Sequence, residues 1–347
     1  SMDYVAVADA SQGKLPQVKA IADTQQEHAA NPEKFELAKQ FYNPETGAGY
    51  VFIANLLASI ATLLVMLPSL RFRFSDWDVS LWREQMVYAL PLLFAGLAGM
   101  VNETLDRALI RHLVTDQQDA MNQLGIYGAC YKLSILMTLF IQAFRYAAEP
   151  CFFSPFGKDD AKETYARITK YFCITCAIVF LGVMLYIDIF KHFIGEPYQV
   201  GLGVVPILLL ANMCLGIFFN LSMWYKMTGK TRYGLFFTLF GAVITVVLNV
   251  LFVPSMGYMG AAWATLGCYA CMMAASYLIG QRNYPVPYET KRILSYIGLA
   301  IACYFVSDAL IDWLEVTSAV RLLLNTIVFV GYLLLMGKWE RPPVLAK

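Results

Sequence analysis

The chain has 347 residues, of which 59% are hydrophobic and only 15% charged, with a mean hydropathy of +0.54. Soluble domains carry about 45–50% apolar residues, so the composition excludes a soluble enzyme or binding module and predicts an all-α polytopic membrane protein. The formal net charge of +1 gives no basis for nucleic-acid binding, and the placement of the charges matters more than their sum.

Residues 1–48 are hydrophilic. The stretch DTQQEHAANPEKFELAKQFY reads either as an amphipathic helix, with Phe35, Leu37, Ala38 and Phe41 on one side, or as a solvated loop ending at Asn43-Pro44. The chain opens Ser-Met, and the segment lacks the apolar core of a signal peptide. Apolar runs then recur at the ~20-residue length that crosses a bilayer. They are Gly49–Leu70, Met86–Leu113, Leu124–Pro150, Ile168–Phe190, Val200–Met223, Tyr233–Val253, Met256–Ile279, Ile293–Leu314 and Ala319–Met336, about nine transmembrane helices.

Lys and Arg concentrate in cytoplasmic loops, and here they alternate. Arg71, Arg73 and Arg83 follow the first span, Lys158, Lys162, Arg167 and Lys170 the third, Lys226, Lys230 and Arg232 the fifth, and Arg282, Lys291 and Arg292 the seventh. TDQQDAMNQ, VPSMG and DWLEVTS on the other side have neither residue, and KHFIGEPYQ has only Lys191. The C-terminus is therefore expected in the cytoplasm and residues 1–48 on the far side. Nothing in that segment would carry it across, so the expectation is an N-terminally truncated chain whose earlier spans are missing.

The second span carries ionisable residues inside its apolar run. At about 100° per residue, Tyr88, Leu92, Gly96, Gly99, Glu103, Asp106 and Arg107 share roughly a third of the helix surface. A charge at the bilayer centre costs about 3 kcal/mol or more, so this face is expected to line a wet cavity. On the third span Tyr127, Tyr131, Ser134, Thr138, Gln142, Arg145 and Glu149 share a face, and Lys132 lies at a depth close to Glu103, Asp106 and Arg107. A salt-bridged cluster with Lys132 is one expectation. Arg145 and Glu149 either pair at i, i+4 or extend to the interface; Glu103 and Arg107 are likewise either a helix pair or cavity contacts.

Asn55, Ser59, Thr62, Thr245 and Asn249 suit helix–helix hydrogen bonds. Asp188, Asp308 and Asp312 fall near far-side helix ends, where solvation is easy. Seven of the eight cysteines sit in apolar runs and Cys151 directly follows one. Two C-x-x-C pairs, Cys173/Cys176 and Cys268/Cys271, have no histidine near them in sequence, so packing is expected rather than metal binding. No phosphate-cradling Gly loop, H-E-x-x-H or G-x-S-x-G occurs, and the expectation is a non-enzyme without a cofactor.

The run PSMGYMGAAWATLGCY resembles the G-x-x-G-A-A-x-A-T pattern of polysaccharide flippases of the multidrug/oligosaccharidyl-lipid/polysaccharide exporter superfamily. LGIYGACYKLSILMTLFIQAFRYAAEP is similar to that family's eighth span, and WYKMTGKTRYG to its basic loop between the tenth and eleventh. The resemblance covers residues 49–347 and implies the second lobe, plus the last helix of the first, of a two-lobe MATE-like exporter. It maps 49–70 to that last helix, 71–85 to a cytoplasmic linker and 86–347 to the C-terminal helical lobe. It further implies flipping of a polyprenyl-pyrophosphate-linked oligosaccharide across the bacterial inner membrane for surface polysaccharide or lipopolysaccharide synthesis, alongside membrane lipids and other assembly proteins. Arg107, Lys132, Arg145 and Gln142 would meet the cargo, and Glu103, Asp106 and Glu149 would couple transport to H+ or Na+. The alternatives are a multidrug/cation antiporter of the same superfamily, a membrane-embedded polysaccharide polymerase or acyltransferase, and a non-transporting fragment.

Overall fold

A computed structural model describes residues 49–69, 78–114, 116–152, 158–314 and 318–340, the side chains at 51, 69, 149–152, 158–161, 312, 314 and 318 excepted. Residues 1–48 and most of the basic segment after the first span lie outside the described residues. Every regular element among the described residues is helical. The long helices are α1 (Gly49–Met66), α2 (Val79–Leu113), α3 (Gln117–Phe152), α4 (Lys158–Leu185), α5 (Val205–Leu221), α6 (Arg232–Met256), α7 (Tyr258–Asn283), α8 (Thr290–Leu314) and α9 (Ser318–Trp339).

Eight of these helical segments are long and apolar enough to cross a membrane; the apolar part of α1, Phe52–Met66, is shorter. The chain divides into two units, 1–78 and 79–347. In the first, α1 is followed by one 3-10 turn at Leu67–Ser69. In the second, residues 79–85, expected in the linker, instead form the opening turns of α2. The fifth span is also composite: a 3-10 stretch, Glu196–Val204, runs into α5.

The helices of the second unit are sided as a bilayer requires. On α6 the buried residues are Gly234, Phe237, Gly241, Thr245, Asn249 and Val253. Phe236, Leu239, Val243, Val247 and Leu251 face outward. Apart from Phe237 and Val253, the side chains buried along α6 are small or polar, because lipid gives no hydrophobic reason to hide a leucine and close packing must hold the bundle.

Between α6 and α7 the backbones approach closely. They are joined at Gly257, whose φ of +57° favours glycine, and any Cβ there would collide with the Gln123 amide of α3. Gln123 Oε1 instead accepts the Tyr258 N–H at 3.0 Å. Three residues on, a Cβ at Gly260 would strike the α6 backbone at Phe252 and Val253. Ala261, Ala262 and Ala264 are fully buried. The small-residue run thus does what its chemistry predicts: it brings two backbones into contact. The segment VPSM, expected as loop, continues α6 through Pro254 to Met256.

A second core joins α3, α4, α5, α8 and α9 around Met137, Phe172, Phe180, Leu181, Leu209 and Tyr296. Cys173 and Cys176 are packed within it. Cys268 is buried too, but Cys271 is exposed, so one member of the second C-x-x-C pair is not an interior packing residue.

Candidate functional site

The polar face of α2 is built in two levels. At the first, Asn102 accepts a hydrogen bond from the Thr245 hydroxyl of α6 and donates to the sulfurs of Cys268 at 3.6 Å and Met272 at 3.8 Å on α7. Cys268 in turn donates to the Gly241 carbonyl at 3.3 Å. The weak sulfur acceptors matter because an amide in an apolar bundle has nowhere else to turn.

One turn further along α2 lies Asp106, 2% exposed. Its Oδ2 accepts the hydroxyl of fully buried Tyr127 at 2.5 Å, and its Oδ1 accepts the backbone N–H of Arg107 at 2.7 Å. Asn249 stands one turn beyond Thr245 on α6, wholly buried. Its amide nitrogen donates to the Thr245 carbonyl at 2.8 Å, while its Oδ1 has no hydrogen-bond partner among the described residues.

The Arg107 side chain does not close on Asp106. Its guanidinium lies 4.4 Å from the centroid of the Tyr131 ring, and its Nε is buried without a hydrogen-bond partner among the described residues. Glu103, one turn earlier, is exposed and near enough for its charge to bear on Asp106 and Tyr131. Lys132 is also exposed and forms no ion pair within 4 Å among the described residues. The expected salt-bridged cluster with Lys132 is therefore absent there. Tyrosines from α3 reach the group, because position 132 points about 100° away from 131 on the helix.

Arg145 does not join them. It lies fourteen residues beyond Tyr131 on α3, about 21 Å along the axis. Its guanidinium is 5.4 Å from the Phe219 ring of α5, and its Nε too is buried without a partner among the described residues. Beside it is a hollow of about 20 Å³ bounded by Ile141, Phe144, Gly216 and Asn220, the size of one water. Gln142 is half-buried nearby. The side chain of Glu149 lies outside the described residues.

Two charged groups sit elsewhere. Lys170 of α4 is 3.1 Å from Glu289 and 2.8 Å from Glu340, just past α9. Glu340 also accepts the Tyr296 hydroxyl of α8 at 2.5 Å, and Arg292 pairs with Glu289 at 2.7 Å. Burial alone raises a carboxyl pKa, but the hydrogen bonds from Lys170 and Tyr296 outweigh it and hold Glu340 below its ordinary value of 4.5. At the opposite ends of these helices Arg321 lies 3.1 Å from Asp188 and 3.5 Å from Asp308. Asp188 and Asp308 are thus paired rather than merely solvated. The partners of Lys170 come from 119 and 170 positions away in sequence, so one sequence carries no signal for them. Asn102 did carry one: it stands four residues from Asp106, on the same face.

The fold and this site together define a multi-pass helical membrane protein with ionisable side chains held between its helices. No protein-family model matches the chain, and no curated protein matches it. Solved structures similar to it include an outward-facing multidrug resistance MATE-family transporter of the MOP superfamily, at 14% identity and a TM-score of 0.42. A MOP-superfamily transporter from Pyrococcus furiosus, described as having a binding pocket of reversed polarity, gives 14% and 0.43. Each likeness covers 72% of this chain, and the chain spans 64% of each of those proteins.

Proposed function

We propose that this chain forms the second lobe of a flippase-like exporter that moves a polyprenyl-pyrophosphate-linked oligosaccharide to the outer leaflet of a bacterial inner membrane, with its C-terminus in the cytoplasm. The observation that carries this reading is Arg107: a guanidinium within a bundle of membrane helices, stacked on Tyr131 and ion-paired to no carboxylate among the described residues. Unpaired intramembrane cations are costly and mark substrate paths, and a pyrophosphate is the kind of group an arginine fork binds. The lipid tail stays in the bilayer while the charged head follows the protein. Asp106, held by Tyr127, is the residue to bind and release H+ or Na+ during rocking of the lobes, with Glu103 beside it.

A second reading, exchange of an organic cation for an ion, is favoured by the tyrosines Tyr127, Tyr131 and Tyr269 around Asp106, an arrangement that suits a cation. The cell decides between them. Arg107→Ala or Arg145→Ala should abolish surface polysaccharide while leaving membrane expression intact. Full polysaccharide in both variants, or cation resistance lost only in Asp106→Asn, would favour the antiporter.

A further inference from the structure

The two arginines share three features beyond their charge. Each guanidinium lies over an aromatic ring, Arg107 on Tyr131 and Arg145 on Phe219. Each has its Nε shut in without a hydrogen-bond partner among the described residues, although the residue as a whole is only half-buried. Neither forms an ion pair within 4 Å among those residues, and each Asp106 oxygen instead accepts one hydrogen bond, from Tyr127 and from the Arg107 backbone.

An arginine that only held helices together would be expected to close on a carboxylate, as Arg321 does with Asp188 and Asp308; its Nε also has no hydrogen-bond partner among the described residues, so the missing ion pair and the ring set Arg107 and Arg145 apart. A ring beneath the guanidinium fixes its plane and leaves the fork edge free for two parallel N–H···O bonds. The ring under Arg107, Tyr131, and Arg145 itself are about 21 Å apart along α3, against a hydrocarbon core of about 30 Å. They therefore lie at different depths, too far apart for one phosphate or diphosphate to touch both.

We infer that Arg107 with Tyr131 and Arg145 with Phe219 are two separate stations for a phosphate-bearing anion, one at each depth, occupied in turn as the anion crosses. This rests on the export reading and adds to it a count, two sites, and a ring for each.

The test is native mass spectrometry of the purified 347-residue chain in detergent with farnesyl diphosphate as the probe, and with farnesol and inorganic pyrophosphate in parallel arms. Two molecules of farnesyl diphosphate should bind the wild type, one each Arg107→Gln and Arg145→Gln, and none the double variant. Inorganic pyrophosphate should compete at both sites if the diphosphate is what is recognised; failure to compete with binding still arginine-dependent would assign the sites to a lipid headgroup only. Arg→Lys at either position should keep the site and weaken it by about tenfold, since the fork is lost and the charge kept, which also serves if a Gln variant fails to fold. A single site, sites indifferent to both arginines, or equal binding of farnesol would overturn the inference. Two arginine-dependent sites in a protein whose loss leaves surface polysaccharide unchanged would overturn the export reading and leave the stations standing.

Discussion

Two regions of the molecule bury charge, and they do it in opposite ways. Where α4, α8 and α9 meet, Lys170 is enclosed by Glu289 and Glu340, and Tyr296 completes the set. Between α2 and α3 the carboxylate and the guanidinium are neighbours in sequence yet do not pair: Asp106 is held by Tyr127, and Arg107 rests on Tyr131. A closed set of charges ties helix ends together and has nothing left to offer a ligand. An open one stabilises little and stays ready for an ion or an anion. Burial of charge therefore does not by itself identify a site; whether a charge is paired is what separates these two regions.

The largest effect should come from breaking the closed set. Lys170→Met leaves Glu340 without its cation while Glu289 keeps Arg292, and losing one partner of a mostly buried pair costs up to about 3–5 kcal/mol. Unfolding in detergent should show that loss, and Lys170→Met combined with Glu340→Gln should recover part of it. A Lys170→Met protein as stable as wild type would erase the contrast.

The α6–α7 contact supports the open region, since Asn102 and Asp106 face those helices. Gly260→Val forces side-chain atoms into the Phe252 carbonyl, and overpacking of this kind costs about 1–3 kcal/mol. Thermal unfolding reads it directly, and Gly260→Ala should lie between the two.

Acid gives a smaller and sharper distinction. Because the folded-state pKa of Glu340 is depressed below 4.5, its contribution is present above that value and is lost only as pH falls through the lower folded-state pKa. Stability should therefore hold at pH 5 and decline as pH falls below the ordinary value of 4.5 toward the lower folded-state pKa, and Glu340→Gln should flatten the decline.

Much of this was legible in the sequence. Nine apolar runs correspond to nine long helices among the described residues, eight of them long and apolar enough to cross a membrane, and the small residues from Gly257 to Ala264 announced a close helix contact. The Asp106–Arg107 face and the tyrosine face of α3 both follow from 3.6-residue periodicity. Other features were hidden for physical reasons. Val79–Arg83 reads as loop by its polarity, yet Trp82 and its neighbours continue α2 because no Pro or Gly stops the helix before Met86. Lys170 looks like a loop lysine of the cytoplasmic side, but it sits in α4 with partners brought in by tertiary packing. Lys132 and Arg145 share a helix with Tyr131, and only the outward turn of one and the 21 Å rise to the other, about fourteen residues at 1.5 Å, separate them from Asp106.

The central claim is that Arg107 is held for a ligand and not for the fold. Its most direct test is the unfolding temperature of Arg107→Met, measured beside Lys170→Met under the same conditions. An apolar replacement of an unpaired intramembrane arginine should leave stability unchanged or raise it, while export is lost. A fall in unfolding temperature matching that of Lys170→Met would contradict the claim and make Arg107 one more structural charge.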